Sequence, residues 1–206
     1  MKPTLAGRRR VLRAAASGGL VLALPLALAA CGDKGPVFKG SDVTGTHLGR
    51  ALALTDFNGQ ARTLASFAGK VLVVFFGYTQ CPDVCPTSLA ELADVMRKLG
   101  PDADRVQVLF ISVDPERDTP EILKQYTTAF DPRFLALRGT ADETRQTATS
   151  FKAYYAKVSS KGGSADEYSM DHTAAFYLFD GKGEARVLAS HSSSADDLAQ
   201  DIKALL

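Results

Sequence analysis

Only three cysteines and three histidines occur in the 206-residue sequence. The chain can therefore close at most one internal disulfide, and any metal site must be built from few soft or imidazole donors. Beyond the first 13 residues there is no basic cluster, so nothing points to nucleic acid as a partner. Internal repeats and low-complexity tracts are lacking, which excludes a solenoid or array. A membrane-spanning run is lacking as well. The uncharged stretch from Ala14 to Ala30 is interrupted by Pro25 and two glycines and falls short of the roughly 20 apolar residues a spanning helix needs.

What the first 30 residues do contain is the order of a secretory signal peptide. Lys2, Arg8, Arg9, Arg10 and Arg13 come first with no acid among them, then the apolar run, then small residues. The ending Leu28-Ala29-Ala30-Cys31 resembles a bacterial lipobox, with Cys31 as the lipid attachment site. Arg8-Arg9-Arg10-Val11-Leu12 fits a twin-arginine export signal. The expected organisation is a signal peptide over 1–30, a flexible tether over 31–46 ("GDKGPVFKGSDVTGT" after the cysteine) and one domain over 47–206. The expected location is the periplasmic side of a bacterial membrane, held by a lipid on Cys31; an uncleaved anchor would face the same side. Without its five basic leader residues the chain goes from a formal charge of +1 to −4, and 176 residues remain, enough for a sizeable core. Cys81 and Cys85 are then the only cysteines of the domain, and export favours a redox or bridging role for them.

Along the domain, strand and helix signals alternate. Asn58-Gly59 marks a hairpin between two short strands. "KVLVVFFGY" and "RVQVLFISVD" are unbroken apolar runs that predict strands buried on both faces. Leu89, Leu92, Val95, Met96 and Leu99 recur at helical spacing up to Gly100-Pro101. Thr119 and Pro120 open a second helix. A short strand follows near 134–137, a helix over about 142–155, a polar loop over 159–168, a hairpin "TAAFYLFD…EARVLAS", and a last helix capped by Ser194. This order predicts an α/β fold with a mixed central sheet, with the two cysteines after the first buried strand and opening the first helix. That is the thioredoxin arrangement.

The cysteines stand in "FFGYTQCPDVCPTSLAEL". At a helix N-terminus, the dipole and unpaired N–H groups favour thiolate, the form that attacks disulfides and binds metal. Pro82 and Pro86 compact the entry, and Thr87 or Ser88 is available as a cap. Residues four apart share a helix face, so both sulfurs can meet one point, and they can also join as a disulfide. The spacing permits both chemistries and decides neither.

Two thiolates need a third ligand. Of His47, His172 and His191, only His172 stands where a thioredoxin-like sheet approaches its dithiol, at "DHTAAFYLFD". His47 and His191 read as ordinary surface histidines. Two thiolates and one imidazole suit Cu(I), or Cu(II) with a weak further ligand, better than structural zinc, which wants four donors. Asp83 and Asp171 flank the ligands, as tuning groups or simple solvated carboxylates. "DPERD" reads as turn and helix-start chemistry with no part in a site.

Taken together, "FFGYTQCPDVCPTSLAEL", "FISVDPERDTPEILKQY" and "DHTAAFYLFD" resemble the Sco (SenC/PrrC) family of cytochrome c oxidase assembly proteins. The match covers roughly residues 45–206 with its motifs in order. The resemblance implies a thioredoxin-like fold with an inserted hairpin or loop around 156–170, and copper held by Cys81, Cys85 and His172. The implied function is a metallochaperone for the binuclear copper (CuA) site of cytochrome c oxidase, with the oxidase subunit II domain as partner and a periplasmic copper donor upstream. One departure is the anchor: many family members carry a transmembrane helix where this chain has the lipobox. Two alternatives stand beside it: a thiol–disulfide oxidoreductase that keeps the target's copper-ligand cysteines reduced through a Cys81/Cys85 dithiol, and a peroxiredoxin-like redox protein. Peroxide chemistry has no need of His172.

Overall fold

A computed structural model describes residues 35–159 and 167–206. An eight-stranded mixed sheet runs β1-β10-β9-β4-β5-β6-β2-β3. The strands are β1 (Ser41–Asp42), β2 (Ala53–Asp56), β3 (Ala61–Thr63), β4 (Val71–Gly77), β5 (Val106–Ser112), β6 (Leu135–Arg138), β9 (Ala175–Phe179) and β10 (Ala185–Ser190). Strands β4, β5 and β6 are parallel, and β9 returns antiparallel against β4. The α-helices among the described residues are α1 (Val84–Leu99), α2 (Pro120–Thr128), α3 (Ala141–Ser150) and α4 (Ala195–Lys203). A separate two-stranded sheet pairs β7 (Tyr155–Ser159) with β8 (Tyr168–His172).

The composition of β4 explains its central place. All seven residues, VLVVFFG, are buried, as expected of a strand covered on both faces. Phe75 and Phe76 belong to opposite faces. Phe75 packs against Phe110 and Phe176, and Phe76 against Phe151 and Tyr177. Helix α1 buries Leu89, Leu92, Val95, Met96 and Leu99, the periodic set seen in the sequence, and Gly100 ends it with φ 57°. Thr119, Thr140 and Ser194 cap α2, α3 and α4 by accepting backbone N–H groups.

Two departures from the expected elements have local causes, and the expected insertion is a hairpin. Helix α3 stops at Ser150, not near Tyr155, because Phe151 turns into the core and Lys152 takes a left-handed φ of 53°. The chain then enters β7, whose pairing with β8 makes an inserted hairpin; the rest of the polar loop, 160–166, lies outside the described residues. At the other end, the last residues assigned to the tether are held by the domain: Ser41 and Asp42 pair with Leu188 and Val187. Among the described residues, no helix is long and apolar enough to cross a membrane.

Candidate metal site

The dithiol sits where β4 leaves the sheet and α1 begins. Cys85 lies in the first turn of α1 and is fully buried. Gly77, the last residue of β4, makes room for it: a Cβ there would lie 2.9 Å from the Cys85 sulfur and 2.7 Å from the Phe110 ring. Cys81 is half-buried at the rim. Its sulfur accepts the Cys85 N–H at 3.4 Å, while Asp83, at the N-cap position, makes no side-chain capping bond. A cysteine sulfur thus takes one of the unpaired first-turn donors. Thr87 reaches Asp83, its hydroxyl 3.5 Å from the carboxylate. Both cysteines are free thiols.

His172 arrives from the hairpin as the last residue of β8. Its Nε2 stands 3.5 Å from the Cys85 sulfur. Its Nδ1 lies 3.2 Å from the Thr173 carbonyl; a carbonyl only accepts, so Nδ1 carries the hydrogen and Nε2 presents its lone pair to the sulfurs. The ring is wedged edge-on against Phe75 and Tyr78, with centroids 6.0 and 6.1 Å away. Burial lowers the His172 pKa and raises that of Cys85 well above an ordinary thiol. Neutral imidazole beside neutral thiol is a consistent metal-free arrangement, with S–H facing the Nε2 lone pair.

The two sulfurs and the imidazole nitrogen all lie within 4.8 Å of one another. Among the described residues this is the one group of three or more His, Cys, Asp or Glu placed to share an ion. Bonds of about 2.0–2.3 Å set trigonal donors roughly 4 Å apart, so a contraction of about 1 Å or less suffices. The donor set of two soft sulfurs and one imidazole fits copper.

Other residues fall in or out of the site as follows. His47 is exposed and its ring meets Arg50 at 2.8 Å, away from the trio. His191 is close enough for its charge to act on His172, and Asp171 acts in the opposite sense, yet neither donates an atom to the trio. Cys31 lies outside the described residues. The segment "DPERD", which reads as turn chemistry with no part in a site, is in fact built into the surroundings of the site. Asp118 is buried and accepts the Ser112 hydroxyl at 2.6 Å, the Thr79 hydroxyl at 2.6 Å and the Thr79 N–H at 3.2 Å. It thereby ties the dithiol loop to the end of β5. Burial pushes its carboxyl pKa up despite those bonds. Asp114 and Arg117 pair beside it and reach the hairpin. The available signal was the motif "SVDPERDTP" itself, whose two buried aspartates no periodicity marks.

A thioredoxin-like sheet with a dithiol at the α1 start and a histidine folded over it defines a class: Cys2His thiol domains. Within that class, the SCO1/SenC family model matches residues 41–206, and the chain belongs to that family. The bovine mitochondrial SCO2 homolog is 37% identical over 156 residues, 73% of this chain and 57% of that protein. The structure of Bradyrhizobium japonicum ScoI with copper bound is 44% identical, with a TM-score of 0.68, covering 81% of this chain and 99% of that one. BsSco, described as a Sco-family cytochrome c oxidase assembly protein with a disulfide switch, is 25% identical, with a TM-score of 0.60 and coverages of 80% and 95%. The chain spans about half to two thirds of the length of the curated relatives it matches.

Proposed function

We propose that this chain is a copper metallochaperone in which Cys81, Cys85 and His172 hold copper as cargo for the binuclear copper site of cytochrome c oxidase. The observation that carries the reading is the convergence of two sulfurs and an imidazole nitrogen within 4.8 Å. Cys85 is buried, while Cys81 and His172 are only half-buried. An incoming thiolate can therefore approach from the Cys81 side before the buried donor lets go. The oxidase subunit II domain is the recipient in this reading, and a periplasmic copper donor the source. Export and attachment through a lipid on Cys31 rest on the leader pattern, and replacement of Cys31 by Ser then releases the protein from membranes. Retention in the membrane fraction would refute the anchor.

The test of the site is a competition titration of the reduced protein with a Cu(I) chelator, with Cu(II) spectroscopy alongside. His172→Ala is expected to lower copper affinity by at least the roughly 10–100-fold seen for lost supporting contacts, with the dithiol potential little changed. Unchanged affinity in that variant would defeat the chaperone reading.

A second reading, thiol–disulfide exchange, is favoured by the asymmetry of the two cysteines. The Cys81 thiolate attacks one sulfur of a target disulfide, forming a mixed disulfide and releasing a target thiolate. The Cys85 thiolate then attacks the Cys81 sulfur, and the second target thiolate leaves. Two electrons pass to the target, and Cys81–Cys85 becomes the disulfide. Reduction must precede metallation, since only free thiolates bind metal, so one pair of sulfurs serves both duties in turn.

A further inference from the structure

The hairpin that carries His172 is not part of the main sheet. Strands β7 and β8 pair only with each other among the described residues, so backbone pairing with the core does not fix where His172 stands. At the His172 end, the chain is tied through Thr173, whose N–H donates to the Tyr154 carbonyl at 2.9 Å and whose hydroxyl accepts the Tyr154 N–H at 2.9 Å. Those bonds close the hairpin upon itself. Midway along β8, Met170 packs against the core and its backbone is bonded to the Tyr78 side chain, which holds the middle of the hairpin.

At the other end of β8 the contacts are of a different kind. The Tyr168 hydroxyl donates to Asp114 at 2.8 Å, and the Arg117 guanidinium lies over the Tyr168 ring at 3.6 Å. One Arg117 nitrogen donates to the Tyr168 carbonyl at 3.0 Å and to the Gln80 side chain at 3.0 Å, and Nε pairs with Asp114. Gln80 adjoins Cys81. A single guanidinium therefore touches the dithiol loop, the loop after β5 and the hairpin. Its side chain is 17% exposed and that of Asp114 3%. A buried charge pair of this kind is poor evidence for stability.

We propose that Arg117, Asp114 and Tyr168 form a latch that sets the hairpin at the angle bringing His172 onto Cys81 and Cys85; these are positioning residues, and the proposal rests on the copper-site reading. Tyr168 and His172 are four residues apart on one strand and so share a face, separated by about 13 Å at roughly 3.3 Å per residue. A tilt at the Tyr168 end is thus carried to the imidazole, where the trio has only about 1 Å of contraction to make. Lys157, paired with Glu116 at 2.9 Å and lying 3.8 Å from the Tyr168 ring centre, braces the same end.

The experiment uses the full chain, reduced, with Tyr168→Phe, Arg117→Lys and Arg117→Gln. The first readout is taken without metal: nuclear Overhauser contacts from the His172 ring protons to the rings of Phe75 and Tyr78. The second is Cu(I) affinity by chelator competition. Arg117→Gln is expected to weaken those contacts and to lower affinity about 10–100-fold, the range for outer partners of a metal ligand. Arg117→Lys restores part of each, since lysine keeps the charge and loses the planar fork. Tyr168→Phe, which removes one hydroxyl, gives a smaller change of the same sign and keeps the test open if Arg117→Gln does not fold. Wild-type ring contacts in folded Arg117→Gln and Tyr168→Phe would overturn the latch, whatever happens to affinity. If instead His172→Ala keeps its copper while the ring contacts still depend on Arg117, the copper reading fails and the latch stands.

Discussion

Burial acts on the two packed members of the trio in opposite directions along the pH scale. For His172 the folded pKa lies below the ordinary 6.5 because the charged ring is desolvated. The stability linked to it is complete above that value and is lost as pH falls through it toward the folded pKa. For Cys85 the folded pKa lies above the thiol reference of 9.0, again through desolvation. Its contribution is complete below 9.0 and is lost as pH rises beyond it. Denaturant melts of the reduced, metal-free protein are therefore expected to weaken as pH falls below about 6.5, and the slope there to flatten in His172→Ala. The carboxylates held low by hydrogen bonds, Asp56, Asp131 and Asp180, act below about pH 4, whereas the raised carboxyl of Asp118 works in the opposite sense to His172, so the difference between wild type and His172→Ala isolates the imidazole. Equal slopes in wild type and variant would show that His172 is not desolvated. The same chemistry gives copper loading a proton cost at Cys85, since its thiol must ionise before the sulfur can bind metal.

Elements differ in how their stability relates to the site. Thr140 at the start of α3 forms a capping box with Glu143: the Thr140 hydroxyl accepts the Glu143 N–H at 3.2 Å, and Glu143 accepts the Thr140 N–H at 2.7 Å. Thr140→Ala should cost about 1 kcal/mol, roughly 2–4 °C in melting temperature for a domain this size, while copper affinity stays at the wild-type value. A fall in affinity would mean that α3 is coupled to the trio. This cap illustrates what could be read in advance. Strands β4 and β5, the caps of α2 and α4, the Asn58-Gly59 turn and the meeting of Cys81, Cys85 and His172 all follow from short-range signals or from the motif order. The end of α3 does not. Lys152 adopts φ 53° without a glycine to announce it, because Phe151 is held against Phe76, Tyr177 and Phe179. Asp114, Arg117 and Asp118 were equally hidden. Their burial is decided by Tyr168, Ser112 and Thr79, and a sequence does not show which of its aspartates will meet such partners.

At the scale of the whole molecule, the chain closes on itself through α4. Asp201 is 1% exposed, and its two carboxylate oxygens accept the N–H groups of Lys39 at 2.6 Å and Gly40 at 2.9 Å. Those donors lie in the stretch that leads from the N-terminal segment into β1, which then adds to the sheet edge at β10. Gly40 allows the approach: a Cβ there would stand 2.5 Å from Val187 and 3.0 Å from the Leu188 carbonyl. The carboxylate thus fastens the point where any tether from Cys31 would join the folded domain. Replacing it by Ala leaves two backbone donors without their acceptor. Asp201→Ala should then cost about 1–3 kcal/mol, or roughly 2–12 °C in melting temperature at this domain size. Local opening should exceed global loss, because β1 has only two residues to hold it once the carboxylate is gone. Hydrogen exchange is the discriminating measurement. Amides of Lys39 and Gly40 should exchange faster than in wild type, those of β4 should keep most of their protection, and the tether should lengthen by the freed residues. Were Lys39 and Gly40 to exchange at the wild-type rate, the strand pairing alone would be anchoring the N-terminal edge, and Asp201 would be only a helix residue that happens to be buried.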